Sequence, residues 1–191
     1  LNRRVLRAWA RILAGLPDAR LLLKARPFGE PATAAAMRAR FAAAGGDASR
    51  LDFEAHHPRR AYFARYCAVD MMLDPFPFPG ATTTAEAIHA GVPTITLKGR
   101  GGLISHKGES LLTAIGLPDW TARDEDDHVA QAARRRRGPQ ALAALRARLV
   151  RGPLADGARY ARGLEAAWRT MWRDWCEGPV SAVRGSPEPP H

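Results

Sequence analysis

Cysteine is scarce in this chain, and that scarcity narrows what the protein is. Two of its 191 residues are Cys, Cys67 and Cys176. They lie far apart and outside any C-x-x-C spacing, which argues against a disulfide framework or a thiolate zinc site. A reducing, cytoplasmic setting is expected. Lysine is almost as rare: of 29 basic residues, three are Lys (Lys24, Lys98 and Lys107) and the other 26 are Arg. No apolar run approaches the roughly 20 residues of a membrane span, so no transmembrane segment is expected. The six histidines include the pair His56-His57 but no third ligand at metal spacing, so no metal and no other cofactor is expected. The P-loop pattern G-x-x-x-x-G-K-[ST] and the fingerprint G-x-G-x-x-G are both missing.

What is present describes a globular domain. The chain is 46% hydrophobic and 25% charged, with a net charge of +10, and is long enough for one real core. So basic a balance raises the question of nucleic acid. The run Arg134–Arg137, however, has no interleaved aromatics and sits in a polar helical stretch, so solvated helix faces account for it. Nucleic acid is not an expected partner. Leu1, rather than Met, stands almost directly before an amphipathic pattern, and the chain is expected to be a piece of a longer protein.

Apolar periodicity alternates between strand and helix. Residues 3–15 predict a helix with Val5, Leu6, Trp9, Ile12 and Leu13 on one face, closed by Gly15 and Pro17. Residues 19–25 predict a short buried strand, and residues 31–44 an Ala-rich helix ended by Gly45-Gly46. A second strand is expected at 51–55, a helix from Pro58 to Cys67, a third strand at 69–73 and a fourth at 94–97. Helices are expected near 105–116, 124–137, 139–150 and 157–176. This alternation with short connections predicts right-handed crossovers and a doubly wound parallel α/β sheet, with its first strand missing from the chain. Residues 1–177 form the expected domain; residues 178–191 compose a disordered tail.

Ligands of such sheets bind beyond the carboxyl ends of the strands. The stretch LDPFPFPGATTTAEAIHAGVP leaves the third strand there and opens a helix with Thr82, Thr83 and Thr84. Hydroxyls at a helix N-terminus suit phosphate. The spacing Thr83-x-x-Glu86 also fits a capping box, which needs no ligand. The loop His56-His57-Pro58-Arg59-Arg60 leaves the second strand and places two guanidinium groups in a helix's first turn, where they favour a bound anion over the helix. A third loop, LKGRGGLISHKGES, adds glycines, Arg100, His106 and Lys107. Residue types alone lead to a phosphate-bearing ligand at a sheet edge.

The order of these pieces resembles the C-terminal catalytic half of O-GlcNAc transferases, glycosyltransferase family 41, of the bacterial type that follows tetratricopeptide repeats. The resemblance rests on LLLKARPFGEP, on LDPFPFPGATTTAEAIHAGVPTITL, on SHKGESLLTAIGLPDW and on LEAAWRTMW. It covers roughly residues 1–177. It implies the Rossmann-like, nucleotide-binding C-terminal half of a GT-B glycosyltransferase. It further implies inverting, metal-independent transfer of a sugar, GlcNAc from UDP-GlcNAc, to Ser or Thr of a protein acceptor. By position, Thr82 and Thr83 would donate to the diphosphate, Glu86 would hold the ribose, Arg59 would lie near the nucleotide, Tyr62 would stack on uracil and Arg65 would match a family arginine. Ala81 and His106 depart from the pattern, standing where related sequences have His and Arg. The leaving-group Lys is expected upstream of Leu1, so no catalytic residue is assigned in this chain. The N-terminal GT-B half and the repeats are expected as its partners. Another sugar, an Asn acceptor, or a nucleotide-binding module without transferase activity are the alternatives. The stripe Leu164, Trp168, Met171, Trp172 and Trp175 suits a core or a docking face against the other half.

Overall fold

The computed structural model of the protein describes residues 1–135, 139–150, 152, 154 and 156–177. The chain divides into two compact units, Leu1–Ala155 and a second that begins at Asp156. Within the first, strands β1 (Leu21–Lys24), β2 (Leu51–Glu54), β3 (Met72–Leu73), β4 (Thr94–Leu97) and β5 (Thr121–Ala122) alternate with helices. Every strand pairing is parallel. The strands form two ladders, β1-β2 and β3-β4-β5. Parallel neighbours need a crossover, and each connection supplies a helix: α2 (Pro31–Ala42), α4 (Thr82–His89) and α5 (Lys107–Ala114).

Helix α1 (Arg3–Ala14) shows how the sequence sets the packing. Asn2 caps it, accepting from the Val5 N–H at 3.0 Å, while its own amide donates to the Phe76 carbonyl at 2.7 Å. One cap therefore starts the helix and ties it to the loop after β3. Its apolar face, Val5, Leu6, Trp9, Ile12 and Leu13, is buried. Burial of each large side chain there contributes about 1.5–3 kcal/mol. The far end is closed by Arg50, whose guanidinium donates to the carbonyls of Leu13, Leu16 and Ala19, as cations near helix C-termini do. The same core takes in Phe41, Leu51, Ile88, Ile95, Leu112 and Trp120.

The elements follow the expected periodicity with a few differences. The third strand is two residues rather than five, because Tyr66–Ala68 tightens into a 3₁₀ turn closed by the Val69 N–H on the Tyr66 carbonyl. Helix α3 accordingly spans Arg59–Arg65, with Pro58 before it. β5 is a pair of residues, too short to carry a period. The stretch near 105–116 is a 3₁₀ turn, Leu103–His106, followed by α5. Helix α6 (Glu125–Arg134) is capped by Asp124, which accepts from the Asp127 N–H at 2.8 Å. Helix α7 spans Pro139–Val150. Arg134 is an exposed group paired with Asp127, whereas Arg135 is half-buried, paired with Asp119 and stacked 4.3 Å from the Trp120 ring. Arg136, Arg137 and the tail 178–191 lie outside the described residues.

The second unit contains α8 (Gly157–Glu177). Trp168, Met171, Trp172 and Trp175 on it are between 59% and 67% exposed. Among the described residues no helix is long and apolar enough to cross a membrane.

Candidate functional site

The carboxyl ends of β1 to β4 carry Lys24, Glu54, Asp74 and Lys98. β3 delivers Asp74, fully buried, at the start of the loop Pro75–Gly80. The Gly80 N–H donates to Asp74 Oδ1 at 2.8 Å, and the Thr84 hydroxyl donates to the same oxygen at 3.1 Å. A side chain at Gly80 would meet Thr83 Oγ1 at 2.7 Å and Asp74 Oδ1 at 3.1 Å, so only glycine fits there. The three threonines thus have separate roles. Thr84 faces inward and pins the helix, while Thr82 and Thr83 are exposed at its mouth. The capping box does not form. Ala81 is the N-cap residue, no side chain caps α4, and Glu86 bonds elsewhere. The first turn of α4, with its orphan N–H groups and the positive end of the helix dipole, has no side-chain cap and carries two exposed hydroxyls.

Helix α3 brings the second group of predicted residues to that point. The Tyr62 hydroxyl donates to Glu86 Oε2 at 3.0 Å and lies 2.7 Å from the Tyr66 hydroxyl. Burial, then these two contacts, pushes the Tyr62 phenol above its ordinary range. Arg59 approaches Glu86 Oε1 at 3.8 Å while remaining largely exposed. Tyr66 reaches the Thr83 carbonyl at 3.5 Å. Arg59, Tyr62, Thr83 and Glu86 therefore form one connected surface. Arg65 turns away from it, to Glu54.

A third cluster joins Lys24 of LLLKARPFGEP to Glu54, and with it His57 and Arg65. Lys24 and Glu54 are register partners across β1 and β2. The Lys24 ammonium lies 3.0 Å from Glu54 Oε2, 3.2 Å from the Ala55 carbonyl and 2.6 Å from His57 Nδ1. Burial pushes the Glu54 carboxyl up, but its bonds to Lys24 and Arg65 outweigh this and hold it below the usual carboxylate range. Lys24 also stands 6.0 Å from the centroid of the Tyr62 ring. The one signal for it in the sequence is the charge that ends each of two adjacent strands.

The loop after β4 is tied down by Glu109, which accepts from the Gly99 N–H at 3.0 Å and contacts His106 Nδ1 at 2.9 Å. That bond raises the pKa of His106 above its ordinary value. Lys107 stacks 4.6 Å from the exposed Phe78 ring. A cleft of about 440 Å³ opens beside these loops, lined among others by Pro75, Phe76, Lys98, Arg100, Arg4 and Arg11. Its arginines Arg4 and Arg11 are held by Glu125 and Asp126 at 2.7 and 2.8 Å. No residue of α3 or α4 lines it.

A unit in which parallel strands alternate with helices belongs to the Rossmann-like class of α/β folds. Comparison with known proteins makes the class particular. The sequence profile of Glycosyl transferase family 41 matches residues 1–161, and the chain belongs to that family. It is 35% identical over 190 residues to a probable UDP-N-acetylglucosamine–peptide N-acetylglucosaminyltransferase SPINDLY of Oryza sativa subsp. japonica, across 96% of this chain and 20% of the relative. It is 27% identical to a UDP-N-acetylglucosamine–peptide N-acetylglucosaminyltransferase of Caenorhabditis elegans, across 96% of this chain and 16% of that protein. A solved structure of a Thermobaculum terrenum O-GlcNAc transferase mutant superposes with a TM-score of 0.83 at 34% identity. The overlap covers 90% of this chain and 34% of that one. The fold is therefore that of a GT-B half, and the chain spans about a fifth of the length of the curated relatives.

Proposed function

We propose that these residues form the donor-binding half of an inverting, metal-independent glycosyltransferase that moves GlcNAc from UDP-GlcNAc to Ser or Thr of a protein. The observation that carries this reading is the uncapped N-terminus of α4, with Thr82 and Thr83 exposed beside the Arg59–Glu86–Tyr62 surface. Breaking the glycosidic bond to UDP puts negative charge on the β-phosphate, and donors already aimed at that charge lower the barrier. A helix end, two hydroxyls and Arg59 supply such donors. Glu86, oriented by the Tyr62 hydroxyl, suits the ribose hydroxyls, and the aromatic group on α3 suits the base. In this reading the leaving-group lysine and the acceptor-side residues belong to segments outside these 191 residues. The chain alone is then expected to bind the donor without transferring the sugar, because positioning of donor against acceptor accounts for roughly 7–11 kcal/mol of such a barrier.

A thermal-shift panel of UDP, GDP, UDP-GlcNAc and duplex DNA tests the ligand class. UDP and UDP-GlcNAc should raise the melting temperature, and GDP and DNA should not. A response to DNA without one to UDP would refute the reading. The acceptor half is tested by radiolabelled sugar transfer to a bacterial lysate, with a polypeptide extended at its N-terminus set against this chain.

A further inference from the structure

Asp74 is fully buried, and its two oxygens are used unequally. Oδ1 takes both the Gly80 N–H and the Thr84 hydroxyl, one from the loop before α4 and one from the helix itself. Oδ2 has no hydrogen-bond partner among the described residues, and neither does the nearby Thr96 hydroxyl. The start of α5 closes over the same oxygen: a side chain at Gly108 would lie 3.0 Å from Oδ2, so the space is sealed by backbone. A carboxylate placed at a helix N-terminus favours the helix. It also cancels part of the positive field that an anion outside would feel.

Within the donor-site reading, we propose that Asp74 is the positioning residue of the phosphate site. It fixes Gly80 and Thr84 so that the first turn of α4 faces the diphosphate, and it takes up a proton when the diphosphate binds. The buried, half-satisfied carboxyl is suited to that exchange. Burial pushes its pKa up to about 6, against the bonds from Gly80 and Thr84, which favour the ionised form. The titratable and charged groups on the elements around it are Glu86 and His89 of α4, Lys98 after β4, His106, Lys107 and Glu109 at α5, and Glu125, Asp126, Asp127, His128 and Arg134 of α6. None of them bonds Asp74. His106, whose pKa Glu109 raises, is shared by every variant, so the difference between variants isolates Asp74.

The experiment is calorimetric titration of this chain with UDP-GlcNAc, whose diphosphate diester has no group of its own titrating between about pH 5 and 8. Wild type, Thr84→Val, Asp74→Asn and Asp74→Ala are compared at about pH 8 and about pH 5.5. Thr84→Val keeps the buried shape and removes one bond to Asp74, and should weaken binding about three- to tenfold. Asp74→Ala should weaken it more. Asp74→Asn keeps an oxygen for both donors and should bind at least as well as wild type at the higher pH. Wild-type affinity should rise at least about threefold more on acidification than that of Asp74→Asn. A Thr84→Val variant with wild-type affinity, or parallel pH profiles for wild type and Asp74→Asn, would overturn the proposal. If Asp74→Ala does not fold, Thr84→Val and the profiles decide it. A wild type that does not bind UDP-GlcNAc at all would strike the donor-site reading instead.

Discussion

Tyr62 carries two roles that the sequence presents as one. Its ring is expected beside a base, yet its hydroxyl is already committed to Glu86 at 3.0 Å and to Tyr66 at 2.7 Å. Tyr62→Phe keeps the ring and releases Glu86, so it should cost UDP affinity about 1 kcal/mol, and Tyr62→Ala about twice that. Titration calorimetry separates them: Phe matching Ala would remove the ring from the account, and Phe matching wild type would remove the hydroxyl. Asp74 and His128 make a second residue-scale case. Desolvation lowers the His128 pKa to about 4, so its contribution is present above the unfolded value of 6.5 and is lost as pH falls toward 4. Burial raises Asp74 to about 6 from 3.8, so its contribution is present at low pH and is lost as pH rises through 6. Between about pH 7 and 5 the two run in opposite directions, His128 losing about 2 kcal/mol and Asp74 regaining about 1. Urea unfolding of Asp74→Asn should therefore show a steeper acid loss than wild type over that range; identical slopes would refute the assignment of Asp74.

Helix α4 is largely legible in the sequence: a Thr run after an apolar strand opens it, and Gly91 with Pro93 closes it. What the sequence leaves open is whether Thr83 and Glu86 cap each other. The structure answers through tertiary contacts, since Tyr62 claims Glu86 from a different helix. The Lys24–Glu54–Arg65 cluster is hidden for a similar reason. Its members meet only once β1 and β2 align Leu21 with Leu51, and no local pattern encodes that register. Asp74 is visible as the end of an apolar run, but its inward orientation depends on Gly80 and Thr84 donating to it. Thr121–Ala122 is a strand only because it pairs with β4. Helix α8 is the opposite case, its stripe plain in the sequence. Trp168, Trp172 and Trp175 are exposed, whereas Trp9 and Trp120 are buried. Iodide should quench a large share of the tryptophan fluorescence, and complete protection would contradict the exposed indoles.

The whole molecule belongs to Glycosyl transferase family 41 and folds as a GT-B half, with Lys24, Glu54, Asp74 and Lys98 at the strands' carboxyl ends. The net charge of +10 is consistent with an anionic ligand, but the arginines are dispersed over the surface and many are paired with carboxylates. Specificity for a nucleoside diphosphate would come instead from one helix end and the α3 surface beside it. That claim is met most directly by titrating UDP against the double variant Thr82→Val, Thr83→Val. Both residues are exposed, so the fold should survive, as circular dichroism can confirm. Loss of two donors to a charged phosphate should weaken binding by about 2–4 kcal/mol. A folded double variant that binds UDP as tightly as the wild type would contradict the account.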